Sequence, residues 1–366
     1  LEFDTEWSGA DTINLNTNYR CSKDIVTTAN ELAKYLPESK NKHYVEAIAN
    51  KEANSKPIYI ECNTASEEAN IVGDEISKLI ANGKKYEDIA VLARTNAQLQ
   101  YFESEFAKRK IPYLTYSDTS FIEKTEIKLI ISYIKLSFDT KTDSAFAFCY
   151  NKPNRWLNKA FFDEVSTLAK KKRCSLYDAM FMIDRRNWRF KNGIDEIYET
   201  VNKVQNKRFA NMGEIVHTLR RDLNIDDFVS RGKLSDDGRY AEQIENLDTF
   251  EDTCKQFKTY TELNSYLLDI QNSGIQTDDN KVSLMTIHKS KGLEFPVVFL
   301  VGCSEGLLPH SKATDIDDEM RLMYVGITRA MDKLYLTSNL SYNSRNMMTS
   351  SFIDLLGDTI EKTESK

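Results

Sequence analysis

KVSLMTIHKSKGLEFPVVFLVG, residues 281–302, holds two apolar runs joined by a charged turn. The runs KVSLMTIH (281–288) and PVVFLVG (296–302) are short and rich in β-branched residues, the composition of strands buried in a parallel sheet. Between them His288, Lys289 and Lys291 crowd into four positions, followed by Gly292 and the carboxylate of Glu294. Such a turn can present hydroxyl, imidazole and ammonium groups to phosphates. Gly292 permits a tight backbone or a close ligand approach. Glu294 is suited to accept hydrogen bonds from a ribose hydroxyl. Taken alone, three cations describe a solvated basic loop better than a binding site.

Outward from this stretch the same rhythm recurs. PIYIEC (57–62), DIAVLART (88–95) and IPYLTY (111–116) read as strands. Helical patterns at 66–83 and 96–110 separate them, the first with Ser66 as N-cap and Gly83 just past its end. A helix over 317–330 and a strand over KLYLT (333–337) follow the opening stretch. Strands separated by helices of this length imply a parallel sheet with crossover helices. From about residue 126 to 274 the pattern is helical and poor in strand signals. The expected architecture is therefore an α/β domain interrupted by a mainly α-helical insertion. Its boundaries are set at 1–138 for the first part of the sheet domain, 139–276 for the insertion and 277–366 for the second part.

The chain has 366 residues, 41% hydrophobic and 29% charged, ordinary for a soluble globular protein. No apolar run reaches the roughly 18 residues a membrane span needs, and no secretory leader is visible. The chain begins at Leu1 rather than Met, as a segment of a longer protein would. Six scattered cysteines without CxxC or zinc spacing read as reduced thiols of a cytoplasmic protein. The net charge of −7 hides an asymmetry: Lys141 to Tyr240 carries 20 Lys and Arg against 14 Asp and Glu, while the remainder carries 29 against 42. The basic excess sits in the insertion, which keeps a polyanionic partner in play.

LNTNYRCS (15–22), IAVLARTNAQ (89–98), LMTIHKSKGLEFPVVFLVG (284–302), EGLLPH (305–310) and DEMRLMYVGITRA (318–330) occur in that order. Together they resemble the C-terminal half of the UvrD/PcrA/Rep family of superfamily 1 DNA helicases, and they bracket nearly the whole chain. EQIENLDTF (242–250) and SDTSFIEKTEIKLIISYIKL (117–136) resemble that family as well. The resemblance implies a RecA-like domain, 2A, with domain 2B inserted in it. ATP and Mg²⁺ would lie between 2A and an N-terminal RecA-like domain, with single-stranded DNA running across the top.

The resemblance also implies roles. NYR resembles helicase motif IV, which puts Tyr19 against the adenine and Arg20 at the γ-phosphate. TIHKSKGLEF resembles motif V, in which Thr286 and His288 touch the DNA backbone while Gly292 and Glu294 face the nucleotide. VGITRA resembles motif VI, with Arg329 as the arginine finger. Arg94, Asn96 and His310 match DNA-contacting positions. Such a finger is physically reasonable, because phosphoryl transfer depends mainly on positioning and charge stabilisation. The implied activity is ATP-dependent 3′–5′ DNA unwinding at a single-strand/duplex junction. EWSGAD (6–11) is not motif III, because it stands too close to motif IV.

No G-x-x-x-x-G-K-[ST] occurs, so no P-loop is present and the chain alone is expected to hydrolyse no ATP. DIDDEM (315–320) is not a Walker B strand, because no apolar run leads into it. The family's 2B turn P-x-R-G-I-G, which grips duplex DNA, is represented by NKPNRWLNK (151–159): Pro153 and Arg155 remain, the glycines do not. KKKR (170–173) and RRNWRF (185–190) are alternative basic patches. His43 and His217 are expected to be structural or surface residues. Two other readings stay open: the motor of a RecB/AddA-type helicase–nuclease, and a non-catalytic binding module derived from a helicase.

Overall fold

The computed structural model describes residues 13–40, 44–116, 121–184, 186, 188–230, 239–273 and 280–364. His43, EWSGAD, Arg185 and Asn187 lie outside them. The chain divides into two compact units, Leu1–Ser117 with Ile270–Lys366, and Asp118–Asp269.

The first unit is built on seven strands: β1 (Ile58–Cys62), β2 (Ile89–Ala93), β3 (Tyr113–Thr115), β4 (Val282–Thr286), β5 (Phe295–Leu300), β6 (Ala330–Asn339) and β7 (Glu361–Glu364). They form one sheet in the order β7-β1-β6-β5-β2-β4-β3, with every neighbouring pair parallel. Strand β2 is central and wholly buried, as its unbroken apolar run requires. Its residues alternate between two cores. Ile89, Val91 and Ala93 face helices α2 (Ala65–Ala81) and α3 (Asn96–Arg109). Ala90 and Leu92 face α1 (Lys23–Ala33) and α13 (Ile316–Ile327).

Local sequence sets the helix ends. Thr64, not Ser66, caps α2, its hydroxyl accepting from Glu67 N at 3.1 Å, while Gly83 takes φ +90° past the C-terminus. Thr95 and Gln98 close a capping box at the start of α3. Glu68 of α2 is buried and accepts from Gly302 N at 2.8 Å, Thr337 Oγ1 at 2.5 Å and Asn339 Nδ2 at 2.7 Å. Burial pushes its carboxyl up, against the pull of these three donors.

The second unit is helical: α4 (Thr125–Phe138), α5 (Asp143–Cys149), α6 (Lys159–Lys172), α7 (Leu176–Met180), α8 (Trp188–Asn206), α9 (Met212–Asp222), α10 (Ile225–Ser230), α11 (Arg239–Cys254) and α12 (Tyr260–Ser273), the last ending beyond the division. The division falls at 117/118 and 269/270, earlier than the boundaries at 138/139 and 276/277 set from sequence. The reason lies in α4. It is buried almost all round, through Ile127, Leu129, Ile130, Tyr133, Ile134 and Leu136, and it packs on α5, α8, α9 and α11. A helix apolar on all sides becomes the centre of a bundle rather than a one-sided cover for a sheet.

Arg220 of α9 ties this unit together. It is paired with Asp226 at 2.9 Å, Asp248 at 2.9 Å and Glu251 at 2.8 Å, and is itself largely buried. His217 is an exposed residue paired with Glu251 at 3.0 Å. The cysteines are free thiols, all buried except the partly exposed Cys174.

Candidate functional site

The sequence-selected residues gather at the two ends of the sheet of the first unit. At the amino ends of β5 and β6, Glu294 and Arg329 each immediately precede a strand, and the register Phe295↔Ala330 sets them side by side. Phe295 N donates to Arg329 O at 3.0 Å. Arg20 joins them: its Nε meets Glu294 Oε2 at 2.5 Å and its Nη1 donates to Thr328 O at 3.3 Å. Asn18 shapes the approach, its Oδ1 accepting from both Arg20 N and Cys21 N at 2.9 Å. Tyr19 stands out from this group at 70% exposure.

Arg329 is not an open finger. It is only 9% exposed, and its Nε and Nη1 donate to the carbonyls of Val325 at 3.1 Å and Leu293 at 3.0 Å. Burial and the neighbouring Arg20 charge both lower its pKa, and Glu294 opposes them. To engage an anion outside the chain, the guanidinium has to exchange these carbonyls for it. Two guanidiniums, a carboxylate and an exposed aromatic ring on one edge form a site able to bind a polyphosphate with a stacked base.

At the carboxyl ends of β2 and β4 a second group assembles, in the place where open α/β sheets collect ligands. The register Ala93↔Thr286 brings Arg94 and His288 out from adjacent strands. Arg94 is held bidentately by Glu319 of α13, with Nε at 3.0 Å from Oε2 and Nη2 at 2.8 Å from Oε1. The same carboxylate accepts His310 N at 2.9 Å. Burial alone would raise the Glu319 carboxyl, but these donors outweigh it and the net shift is downward. His288 and His310 are both lowered, first by partial burial and then by the Arg94 charge. Arg94, His288, Lys291 and Lys312 line a cleft of about 570 Å³ that also contains Glu319 and Arg321.

Asn96 is the first residue of α3, and its Oδ1 is buried without a hydrogen-bond partner among the described residues. Thr286 is buried, and its hydroxyl accepts from Lys289 N at 3.4 Å, so it braces the turn that follows. Sequence reading passed over Glu319 and Asn18. Glu319 lies within DIDDEM, and its signal is that it is the acidic residue the helix pattern places on the buried side of α13.

The opening stretch connects the two groups. Strands β4 and β5 both run parallel to β2, so residues 287–294 have to return from the carboxyl end of one to the amino end of the other. A five-residue strand is about 16 Å long, which sets the scale of the separation. The return is made without a helix. Ser290 Oγ donates to Ile287 O at 2.7 Å, Leu293 N donates to Ser290 O at 2.9 Å, and Gly292 takes φ +92°. A Cβ on Gly292 would meet nothing within 4 Å, so the glycine serves the backbone conformation rather than close approach.

The turn at 151–159, which lacks the family's glycines, also keeps its arginine from the surface. Arg155 points inward, its side chain 1% exposed and paired with Glu196 at 2.8 Å, so it is not a surface contact. Trp156 is the exposed residue there, at 64%. The four residues of KKKR are exposed.

Comparison with known proteins bears on the whole arrangement. The chain is 32% identical over 358 residues to "ATP-dependent DNA helicase PcrA" of Staphylococcus epidermidis (strain ATCC 35984), covering 92% of this chain and 48% of that protein. The protein of the same description from Staphylococcus aureus (strain Mu50) is 32% identical over 354 residues, with 92% and 48% covered. The chain thus spans about half the length of these relatives. A solved structure of the C-terminal domain of a possible DNA helicase from a Lactobacillus aligns with 94% of this chain at 9% identity, with a TM-score of 0.38. The α/β assignment rests on the parallel sheet itself. Residues 13–341, which include both site groups and the helical unit, match the model of one family, and the chain belongs to it: the UvrD-like helicase C-terminal domain.

Proposed function

We propose that this chain is the arginine-finger half of an ATP-dependent DNA helicase that translocates 3′ to 5′ on single-stranded DNA. The observation that supports this most is the pairing of two groups through one segment: Arg20, Glu294 and Arg329 at one end of the sheet, Arg94, His288 and His310 at the other, with 287–294 between them. The cationic pair beside the exposed Tyr19 fits a nucleoside triphosphate. ATP would supply the transferable γ-phosphoryl group, and its Mg²⁺ would be held mostly by an N-terminal RecA-like half. In this reading Arg20 and Arg329 leave their own carboxylate and carbonyl partners when the nucleotide is presented. That exchange favours the closed cleft only while the triphosphate lasts. Movement of the return segment then shifts His288 and its neighbours along the strand. The strand, its duplex junction and a cytoplasmic setting belong to the same proposal.

The test uses the full-length protein that carries this chain. Single-stranded DNA should stimulate its ATP hydrolysis, and a 3′-tailed duplex should be unwound in preference to a 5′-tailed one. The 366-residue chain alone should hydrolyse no ATP. A full-length protein that binds DNA without hydrolysing ATP would show the chain to be a binding module instead.

A pH signature follows from the two histidines. Their pKa values lie below the ordinary value of about 6.5, so both are neutral at pH 7. Charging them needs a lower pH, and only the charged form adds attraction for phosphate. Affinity for an oligonucleotide should stay flat from pH 8 to 7 and rise below about 6.5. Fluorescence anisotropy titrations should show that rise shrinking in His288→Asn and vanishing in the double variant with His310→Asn. An unchanged rise in the double variant would remove both histidines from the strand site.

A further inference from the structure

We propose that Glu319 is a positioning residue for the strand site: it orients Arg94 and fixes the backbone at His310, so that both meet a single-stranded nucleic acid in a set geometry. The proposal rests on the motor reading above, in which Arg94 and His310 face the strand.

Of the acidic run Asp317, Asp318 and Glu319 in the first turn of α13, only Glu319 is buried, at 4% exposure. A carboxylate is tolerated out of water where its oxygens are fully used, and here they are. Oε1 accepts from Arg94 Nε at 3.1 Å and from Nη2 at 2.8 Å. Oε2 accepts from Arg94 Nε at 3.0 Å and from His310 N at 2.9 Å.

These bonds occupy one edge of the guanidinium. Nη1 has no hydrogen-bond partner among the described residues. A planar fork held along one edge keeps its remaining donors in a fixed plane, the geometry that a phosphate accepts best. Arg94 keeps 23% of its side chain exposed and lines the cleft of about 570 Å³ together with His288, Lys291 and Lys312. At His310 the same carboxylate acts on the backbone. His310 O accepts from Ala313 N at 2.9 Å and its Nδ1 accepts from Lys312 N at 3.2 Å, so residues 310–313 turn about a point that Glu319 holds. Arg94 follows β2 and His310 lies beyond β5, and one carboxylate sets the spacing between them. By charge alone Glu319 opposes a polyanion in this cleft. Any contribution it makes to binding has to come through geometry, which gives the proposal a sign that charge does not mimic.

Fluorescein-labelled oligo(dT) is titrated by anisotropy against the full-length protein that carries this chain. Glu319→Gln keeps the shape of the side chain and removes a negative charge, which by electrostatics tightens binding. The proposal requires the opposite: binding about tenfold weaker. The slope of log affinity against log salt should become shallower by about 0.7, the share of one phosphate contact on a single strand. In an Arg94→Ala background most of this loss should disappear, because Glu319 acts mainly through Arg94. Arg94→Lys keeps the charge without the fork and should weaken binding as Glu319→Gln does, which tests the geometry even where Glu319→Gln folds poorly. Unchanged or tighter binding by Glu319→Gln overturns the proposal. So does weaker binding with an unchanged salt slope, an equal loss in the Arg94→Ala background, or unaltered affinity in Arg94→Lys. If Arg94→Ala weakens binding while Glu319→Gln does not, this proposal falls and the strand site of the motor reading stands. If neither weakens it, both fall.

Discussion

Replacing Arg329 by alanine in the full-length protein should lower its DNA-stimulated ATP turnover by about 10³-fold or more, the range found when an arginine finger is removed from a phosphoryl-transfer site. The loss should fall mainly on kcat, because the guanidinium is expected to meet charge that develops as the γ-phosphoryl group departs. Arg329 also braces the end of the return segment through Leu293 O and the end of α13 through Val325 O. Its removal therefore carries a structural component, and Arg329→Lys separates the two. Lysine keeps the charge but cannot reproduce the two-pronged geometry, so it should recover only a small part of kcat. Steady-state kinetics at saturating DNA, with melting curves as a fold control, decide the matter. If the alanine variant turns over within about threefold of the unmutated protein, the finger assignment falls.

The second large effect concerns stability. Arg220→Ala should destabilise the helical unit by about 3–5 kcal/mol, because it leaves carboxylates that were paired in a partly desolvated setting without their cation. Asp248 and Glu251 come from α11, Asp226 from α10 and Arg220 from α9, so one guanidinium closes three helices. For a unit of this size the melting midpoint should fall by about 10 °C. Adding Asp248→Asn should return part of the loss, since the two sites share one network. Calorimetry of the single and double variants tests this. A single-variant shift under about 2 °C would mean that solvent already screens the cluster.

The sheet was legible because physics at short range writes it plainly. Ile89–Ala93 is apolar throughout, and Val282–Thr286 is mostly apolar and buried throughout, as a strand covered on both faces is. Helix α4 shows the limit of the same signal. Its apolar pattern says that it is buried, but not against what, and the answer was other helices rather than the sheet. Arg155 and Trp156 make the same point inside one turn. The motif match keeps Arg155 but not the family's glycines, and burial makes that arginine an internal anchor while the tryptophan stays outside.

By itself the order of residues determined the α/β class, the inserted helical unit and the identities of the chemically capable groups, since these follow from local periodicity and from motifs a few residues long. Tertiary structure decided which of those groups meet. Glu294 and Arg329 are neighbours only because two parallel strands start in register, and Arg94 shares a carboxylate with His310 only because α13 lies over the opposite end. Contacts of that kind are set by strand order and helix packing across long separations in the chain, which no short window of sequence contains.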